Sequence, residues 1–330
     1  MKIDFEDFKK KNNLPKKGEK IVVAMSGGVD SSIAAVLLVK AGYEVVGVTM
    51  QLHESKIKKK NKTCCSGLDI ADAKDVANKF GFKHYIIDYQ KEFDKTVIND
   101  FVNSYARGET PIPCIRCNQT VKFTDLINFT KKVKSKYLAT GHYVRRVSND
   151  SGSHIYQAID DSKDQSYFLF ATTNSQLEML RFPLGEFKKT QVREIANLFN
   201  LSNAEKPDSQ DICFIPDGDY RSFVKKRYNK KSSGGIIETF DGKFLGYHKG
   251  IINFTIGQRK GIGVGGIKGE SYKKPYYVLK IDKDNNKIIV GPKSELKQYR
   301  IYLKDINLIN QDENNNFRAE IKIRSGKKKN

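Results

Sequence analysis

An α/β fold, with a doubly wound parallel sheet followed by two small β-rich domains, is what this sequence predicts on three observations. Short apolar runs alternate with helix-periodic stretches from residue 20 to residue 140. A glycine-rich turn follows the first apolar run directly. After about residue 214 glycine and lysine become frequent, and only short β-rich runs separated by turns remain. Strand and helix alternation argues for parallel strands covered on both faces, and short runs between turns suit small antiparallel domains.

The elements follow in order. Residues 21–25 (Ile-Val-Val-Ala-Met) read as a buried strand, and a helix over 33–39 is closed by Gly42. A strand over 44–50, a helix over 68–80 ended by Gly81, and a strand over 84–88 come next. Helices over 93–106 and 118–133 then precede a strand over 137–140. In the second half, strands are predicted over 235–238, 251–256, 276–281 and 287–290, with Asp241-Gly242 as a turn. Domain limits fall at 1–214, 215–271 and 272–330.

The chain has 330 residues, with 59 Lys and Arg against 38 Asp and Glu, a formal charge of +21. Such a length suits two or three domains, because single cores stop growing near roughly 250–300 residues. A hydrophobic fraction of 38% and an aromatic fraction of 11% exclude a disordered, collagen-like or low-complexity chain. Five cysteines are too few for a disulfide scaffold, which favours a reducing compartment. The first residues lack the apolar core of a secretory signal, and no run approaches the roughly 18–20 apolar residues of a membrane helix. A cytoplasmic, soluble monomer without a membrane partner is expected. The positive excess points to a polyanion such as nucleic acid, although solvated lysine faces give the same total. The lysine run over 56–62 fits either a solvated loop or an RNA contact.

The stretch Ala24-Met25-Ser26-Gly27-Gly28-Val29-Asp30-Ser31-Ser32 carries the most chemistry. Two glycines let backbone N–H groups approach an anion, serine hydroxyls donate to phosphate oxygens, and the following helix N-terminus adds its dipole. Asp30 is a carboxylate that plain phosphate binding would not want; it makes sense if it holds Mg²⁺ against the phosphates. The lysine of a Walker loop is absent, which disfavours that class of phosphoryl transferase. Residues 261–266 formally match G-x-G-x-x-G but open no helix, so they read as a flexible loop.

Cys114 and Cys117 lie in the segment 110–118, and Cys213 in the segment 206–214. Cys117 falls just before the helix predicted over 118–133, where the helix dipole and Arg116 would lower a thiol pKa. The spacing Cys-x-x-Cys also suits half a zinc site, a redox pair or two buried small apolar residues. Cys64 and Cys65 are adjacent and cannot easily both point at one metal with that pair. With Cys213 the pair would make three thiolates, enough for an iron–sulfur cluster with one open iron position. His53, His84, His154 and His248 have no partner motif and read as surface or structural.

Ser26 to Ser32 after a first strand resembles the pyrophosphatase loop of the ATP-pyrophosphatases, which cleave ATP between the α and β phosphates and activate a carbonyl oxygen as its adenylate. Five further segments, 110–118, 140–143, 163–167, 206–214 and 255–261, resemble in the same order those of the tRNA-specific 2-thiouridylases. The resemblance implies an adenine-nucleotide α-hydrolase-like first domain, a last domain resembling a β-barrel, and sulfur placed on C2 of the wobble uridine of tRNA. It implies that Ala24, Met25, Ser26, Gly27, Gly28, Val29, Asp30, Ser31, Met50 and Gly141 bind ATP with Mg²⁺. Cys117 would be the nucleophile and Cys213 the persulfide carrier, loaded by a cysteine desulfurase or a sulfur relay protein. Ile112, Pro113 and Cys114 would lie beside the target base, and His142, Lys163, Asp164, Gln165, Arg324 and Ser325 near the tRNA. Two departures stand out: many members have an acidic residue where this chain has Cys114, and the last barrel is expected to be short.

Overall fold

A computed structural model describes residues 3–53, 67–208, 212–215, 218–228, 233–265, 275–309, 316 and 318–325. The lysine run at 56–62, Cys64, Cys65, residues 209–211, Gly266 and the last five residues lie outside these. The chain divides into two compact units, 1–96 with 114–216 and 306–330, and 97–113 with 217–305.

In the first unit, strands β1 (Lys20–Ala24), β2 (Glu44–Gln51), β3 (Lys83–Asp88), β4 (Tyr137–Thr140) and, after a hairpin, β7 (Leu180–Arg181) form one sheet in the order β3-β2-β1-β4-β7. All its pairings are parallel, with Ile21 opposite Val45 on one side and Tyr137 on the other. The hairpin, β5 (Val144–Asn149) and β6 (Gly152–Gln157), stands as its own two-stranded sheet. Strand order reverses beside β1, so the loops after β1 and β4 open the crevice where a doubly wound sheet takes its ligand.

Helix α1 (Phe5–Lys11) begins on Asp4, whose carboxylate accepts from the N–H groups of Glu6 and Asp7. Helix α2 (Val29–Lys40) is the spine of the unit. Ile33, Ala34, Ala35, Val36, Leu37 and Leu38 are all fully buried, so it has no polar face. A helix that is apolar all round belongs inside a core, and it packs between the sheet, α3 (Gly67–Phe80) and the helix Lys189–Leu198. The predicted helix over 118–133 begins earlier, at Pro113, because proline suits the first helical position. It runs as α-helix Pro113–Cys117, π-helix Asn118–Asp125 and α-helix Leu126–Lys132. The predicted helix over 93–106 likewise contains a π-helical segment, Asp94–Ile98.

The second unit holds a four-stranded sheet, β8 (Gly235–Thr239), β9 (Phe244–His248), β10 (Tyr277–Asp282) and β11 (Lys287–Gly291), in the order β10-β11-β8-β9. It is mixed rather than purely antiparallel, since β11 pairs with β8 in parallel. This sheet draws strands from both sides of residue 272, so the division expected there falls within one sheet. Residues 251–256 are not a strand: Ile251–Asn253 is a 3₁₀ turn in which Ile252 is buried, and Phe254 just after it joins the small core of Ile237, Val278, Ile288 and Val290. Helix Tyr220–Arg227, absent from the sequence reading, packs Tyr220 face to face on Tyr105 at 4.7 Å. Among the described residues after Gly291 there is no strand, so no barrel is seen there.

Candidate functional site

The loop after β1 is held in shape by its own serines. Ser31 Oγ accepts the Ser26 N–H at 3.0 Å and donates to the Gly28 carbonyl at 3.1 Å, while the two hydroxyls of Ser26 and Ser31 stand 3.2 Å apart. Gly28 caps α2 without any side-chain acceptor, so the first N–H groups of the helix remain open to an anion. Gly27 has φ +72°, and a Cβ there would meet the Asp69 carbonyl oxygen at 2.1 Å. Only glycine fits. From behind, the Gly27 carbonyl accepts from Asn203 Nδ2 at 3.1 Å and from Lys206 Nζ at 3.2 Å. Gly141, at the end of β4, lies against the first turn of α2.

Two clefts meet on this loop and share Ser26, Asp30 and Gln165. The first, about 200 Å³, has apolar walls from Met50, Leu52 and Leu126, with Gly141, His142 and Lys122 at its polar edge. His142 Nδ1 lies 2.8 Å from the Thr140 hydroxyl, and its ring meets Phe123 and Phe182 edge-on. Burial, aided by the Lys122 charge, pushes the His142 pKa down to about 3, so the imidazole is neutral. The second cleft, about 260 Å³, is polar and is lined by Lys163, Lys189 and Lys206 among others.

A network of ion pairs orders the second cleft. Lys189 Nζ donates to both Asp30 oxygens at 2.7 Å and pairs with Asp208 Oδ1 at 2.8 Å. Tyr143 donates its hydroxyl to Asp30 at 2.8 Å; burial and that carboxylate raise the phenol's pKa. Asp208 also pairs with Lys163 at 2.6 Å and Arg193 at 3.2 Å. Burial works to raise the Asp208 pKa, but the bonds from Lys163 and Lys189 outweigh it and hold it at about 2. Lys206 pairs with Asp69 and Asp72 at 2.5 Å each; burial lowers its pKa and those bonds more than restore it, leaving it raised.

Of the residues expected from sequence, Ala24, Met25, Ser26, Asp30, Ser31, Met50, Gly141, His142 and Gln165 gather on the first cleft. Gly28, Val29 and Lys163 line the second. Asp164 is turned inward, with a side chain 3% exposed: it accepts from the Ala158 N–H and Ser166 hydroxyl and pairs with Lys322 at 2.8 Å. It orders its loop rather than offering a carboxylate to a ligand. That ion pair brings the segment of exposed Arg324 and Ser325 to Lys163–Gln165.

Cys117 is buried and Cys114 exposed, while Cys213 is half-buried beside Phe214, whose ring meets Phe93 at 5.7 Å. Because the helix starts at Pro113, Cys117 lies inside it rather than before it, beyond the first N–H groups that lack intrahelical acceptors. Ile112 is exposed and Pro113 buried. Among the described residues no three Cys, His, Asp or Glu side chains come together as a metal site. His84 and His248 are structural, bonded to the Thr49 hydroxyl and the Asn286 carbonyl.

Sequence reasoning missed Lys122, Tyr143, Lys189, Asn203, Lys206 and Asp208 as site residues. Tyr143, Lys206 and Asp208 lie in segments that carry the family resemblance, which was the available signal. Lys122 had one too, standing on the helix that carries Cys117. Lys189 and Asn203 had no local motif.

The arrangement offers an anion cradle between an apolar cleft and a lysine-rich one, all within the first unit. Comparison with known proteins bears on its identity. Residues 19–217 match the family model described as the tRNA methyl transferase HUP domain, and residues 221–292 the tRNA methyl transferase PRC-barrel domain. The chain is 50% identical over 318 residues to the tRNA-specific 2-thiouridylase MnmA of Rickettsia massiliae (strain Mtu5), covering 95% of this chain and 85% of that protein. It is likewise 50% identical over 317 residues to the protein of the same name from Rickettsia canadensis (strain McKiel), covering 95% and 84%. Among solved structures, NMN synthetase from Francisella tularensis aligns with a TM-score of 0.40 at 18% identity, covering 70% of this chain and 89% of that one. With half its residues shared over nearly its whole length, the chain belongs to the tRNA-specific 2-thiouridylase family.

Proposed function

We propose that this chain is an ATP-dependent tRNA sulfurtransferase that converts the wobble uridine to 2-thiouridine. The observation that carries the reading is the uncapped α2 N-terminus, with its Ser26–Ser31 loop, where an apolar and a lysine-rich cleft meet. The apolar cleft suits the nucleoside and the lysine-rich cleft the outer phosphates. The name borne by the relatives supports tRNA as the substrate. The basic excess of the chain suits the tRNA backbone.

The uracil C2 oxygen is a poor leaving group and must be activated. It attacks the α-phosphorus, the bond from that phosphorus to the bridging oxygen breaks, and pyrophosphate departs among Lys163, Lys189 and Lys206, leaving a C2 adenylate. The Asp30 carboxylate and the Ser26 and Ser31 hydroxyls are hard oxygen donors of the kind Mg²⁺ takes. Bound with ATP, the ion would neutralise phosphate charge. A cysteine desulfurase or sulfur relay protein loads Cys213 as a persulfide. The Cys117 thiolate attacks the Cys213 sulfur, forming a Cys117–Cys213 disulfide and releasing hydrosulfide. Hydrosulfide adds to C2, AMP leaves with the former oxygen, and loss of a proton yields the thiocarbonyl. A thiol reductant then returns the disulfide to two thiols. Dividing one hard substitution into activation and transfer is covalent catalysis, and the base must be flipped out to reach the cleft.

Nucleoside mass analysis of tRNA incubated with the protein, ATP and a persulfide source tests the reading. Wild type is expected to make 2-thiouridine and Cys213→Ser none. No product from wild type, or equal product from the variant, overturns it.

A further inference from the structure

One ammonium stands where a loop carboxylate would otherwise be available. Lys189, the first residue of its helix, has its backbone N–H fixed on Asp160 Oδ2 at 2.9 Å and a side chain only 9% exposed. Its Nζ is within 2.8 Å of three carboxylate oxygens, two from Asp30 and one from Asp208. Asp30 also accepts from Tyr143, and Asp208 from Lys163 and Arg193, so these two carboxylates are met by three cations. Three carboxylate oxygens around one point are the hard donor set that a divalent cation takes. Here a lysine takes it. The adjoining space is the polar cleft of about 260 Å³ into which Lys163 and Lys206 also face.

We propose that Lys189 is a positioning residue of the nucleotide site, a fixed cation that holds the Asp30 carboxylate and keeps divalent cations off it until one arrives bound to a triphosphate. The triphosphate brings what the exchange needs: phosphate oxygens for the ammonium and a metal ion for the carboxylate. An ion alone brings only charge that three cations already oppose. Free metal therefore does not settle on the loop, and loading takes place by the metal–nucleotide complex. This rests on the reading of the loop as an ATP site.

Mn²⁺ as the probe, followed by electron paramagnetic resonance and by the melting temperature, tests this without turnover. Wild type is expected to take up no Mn²⁺ at the loop without nucleotide and to take it up with ATP present. Lys189→Met is expected to bind free Mn²⁺ more tightly than wild type by on the order of tenfold or more, and to be raised in melting temperature by it. Lys189→Arg, which keeps the cation, is expected to exclude free Mn²⁺ as wild type does. Free Mn²⁺ bound by wild type and released by Asp30→Asn overturns the proposal, as does a folded Lys189→Met that ignores Mn²⁺. Should Lys189→Met not fold, the wild-type and Asp30→Asn measurements decide alone. If wild type binds Mn²⁺ neither with nor without ATP, the ATP reading fails, whereas a failure of the proposal leaves ATP binding intact.

Discussion

Replacing Gly141 by alanine tests the geometry that joins β4 to the phosphate loop. A Cβ at this position would stand 2.7 Å from the Ser31 nitrogen, 2.9 Å from the Asp30 carbonyl carbon and 3.0 Å from the Ser31 Cα. All three are backbone atoms, so no side chain can rotate away, and the end of β4 and the first turn of α2 must part by at least a few tenths of an ångström. Since α2 is buried along its length, it has little room to retreat. Overpacking of this kind costs about 1–3 kcal/mol, and each kcal/mol lowers the melting temperature of a unit this size by roughly 2–4 °C. The same displacement moves Asp30 and Ser31, so ATP binding measured by calorimetry is expected to weaken by about tenfold, equivalent to about 1.4 kcal/mol. Gly67→Ala is the control. Among the described residues nothing lies within 4 Å of a Cβ at Gly67, so ATP affinity should hold while stability stays level or rises. A Gly141→Ala protein with wild-type affinity and an unshifted melting temperature would refute the reasoning.

Two further outcomes follow from buried polar groups. The His142 pKa is lowered in the folded state, so its contribution to stability is full above the unfolded value near 6.5 and is lost as pH falls toward about 3. That amounts to about 2 kcal/mol between about pH 7 and about pH 5, and proton NMR should find one imidazole resonance, missing in His142→Gln, that does not titrate in this range. Arg146, 4% exposed, bonds Asn13, donates to Ser153 at 2.6 Å and the Leu177 carbonyl at 2.8 Å, and pairs with Glu178 at 3.2 Å. Arg146→Met should cost about 3 kcal/mol, seen as a lower melting temperature, because it takes a donor from both the buried Leu177 carbonyl and the buried Ser153 hydroxyl. An unshifted melt would show that those bonds contribute no net stability.

The first unit was legible because its inner strands β1, β2 and β4 are buried on both faces and read as unbroken apolar runs, as in residues 21–25. The β5–β6 hairpin was not, since Arg146 occupies a buried position and breaks the alternation of its strand. Residues 251–256 misled for the opposite reason: burial of Ile252 and Phe254 needs an apolar run, and periodicity alone does not say whether the run is extended. The parallel pairing of β8 with β11 joins residues some fifty positions apart and leaves no local trace. The same contrast holds at the site. The phosphate loop is contiguous and its glycines and serines announce it, whereas the cluster of Asp30, Tyr143, Lys189 and Asp208 is assembled from four separate segments, and nothing local in any of them says that they meet.

A helix with no outward face also has a thermodynamic meaning for ligand binding. The amides of α2 between Ile33 and Leu38 can meet solvent only when the whole first unit opens, so their hydrogen exchange reports global unfolding of that unit. Whatever binds at the open N–H groups of the first turn does so on the least yielding element of the unit. The binding energy is therefore felt as slower opening everywhere the sheet reaches, and a ligand touching a few residues becomes a brace for about two hundred.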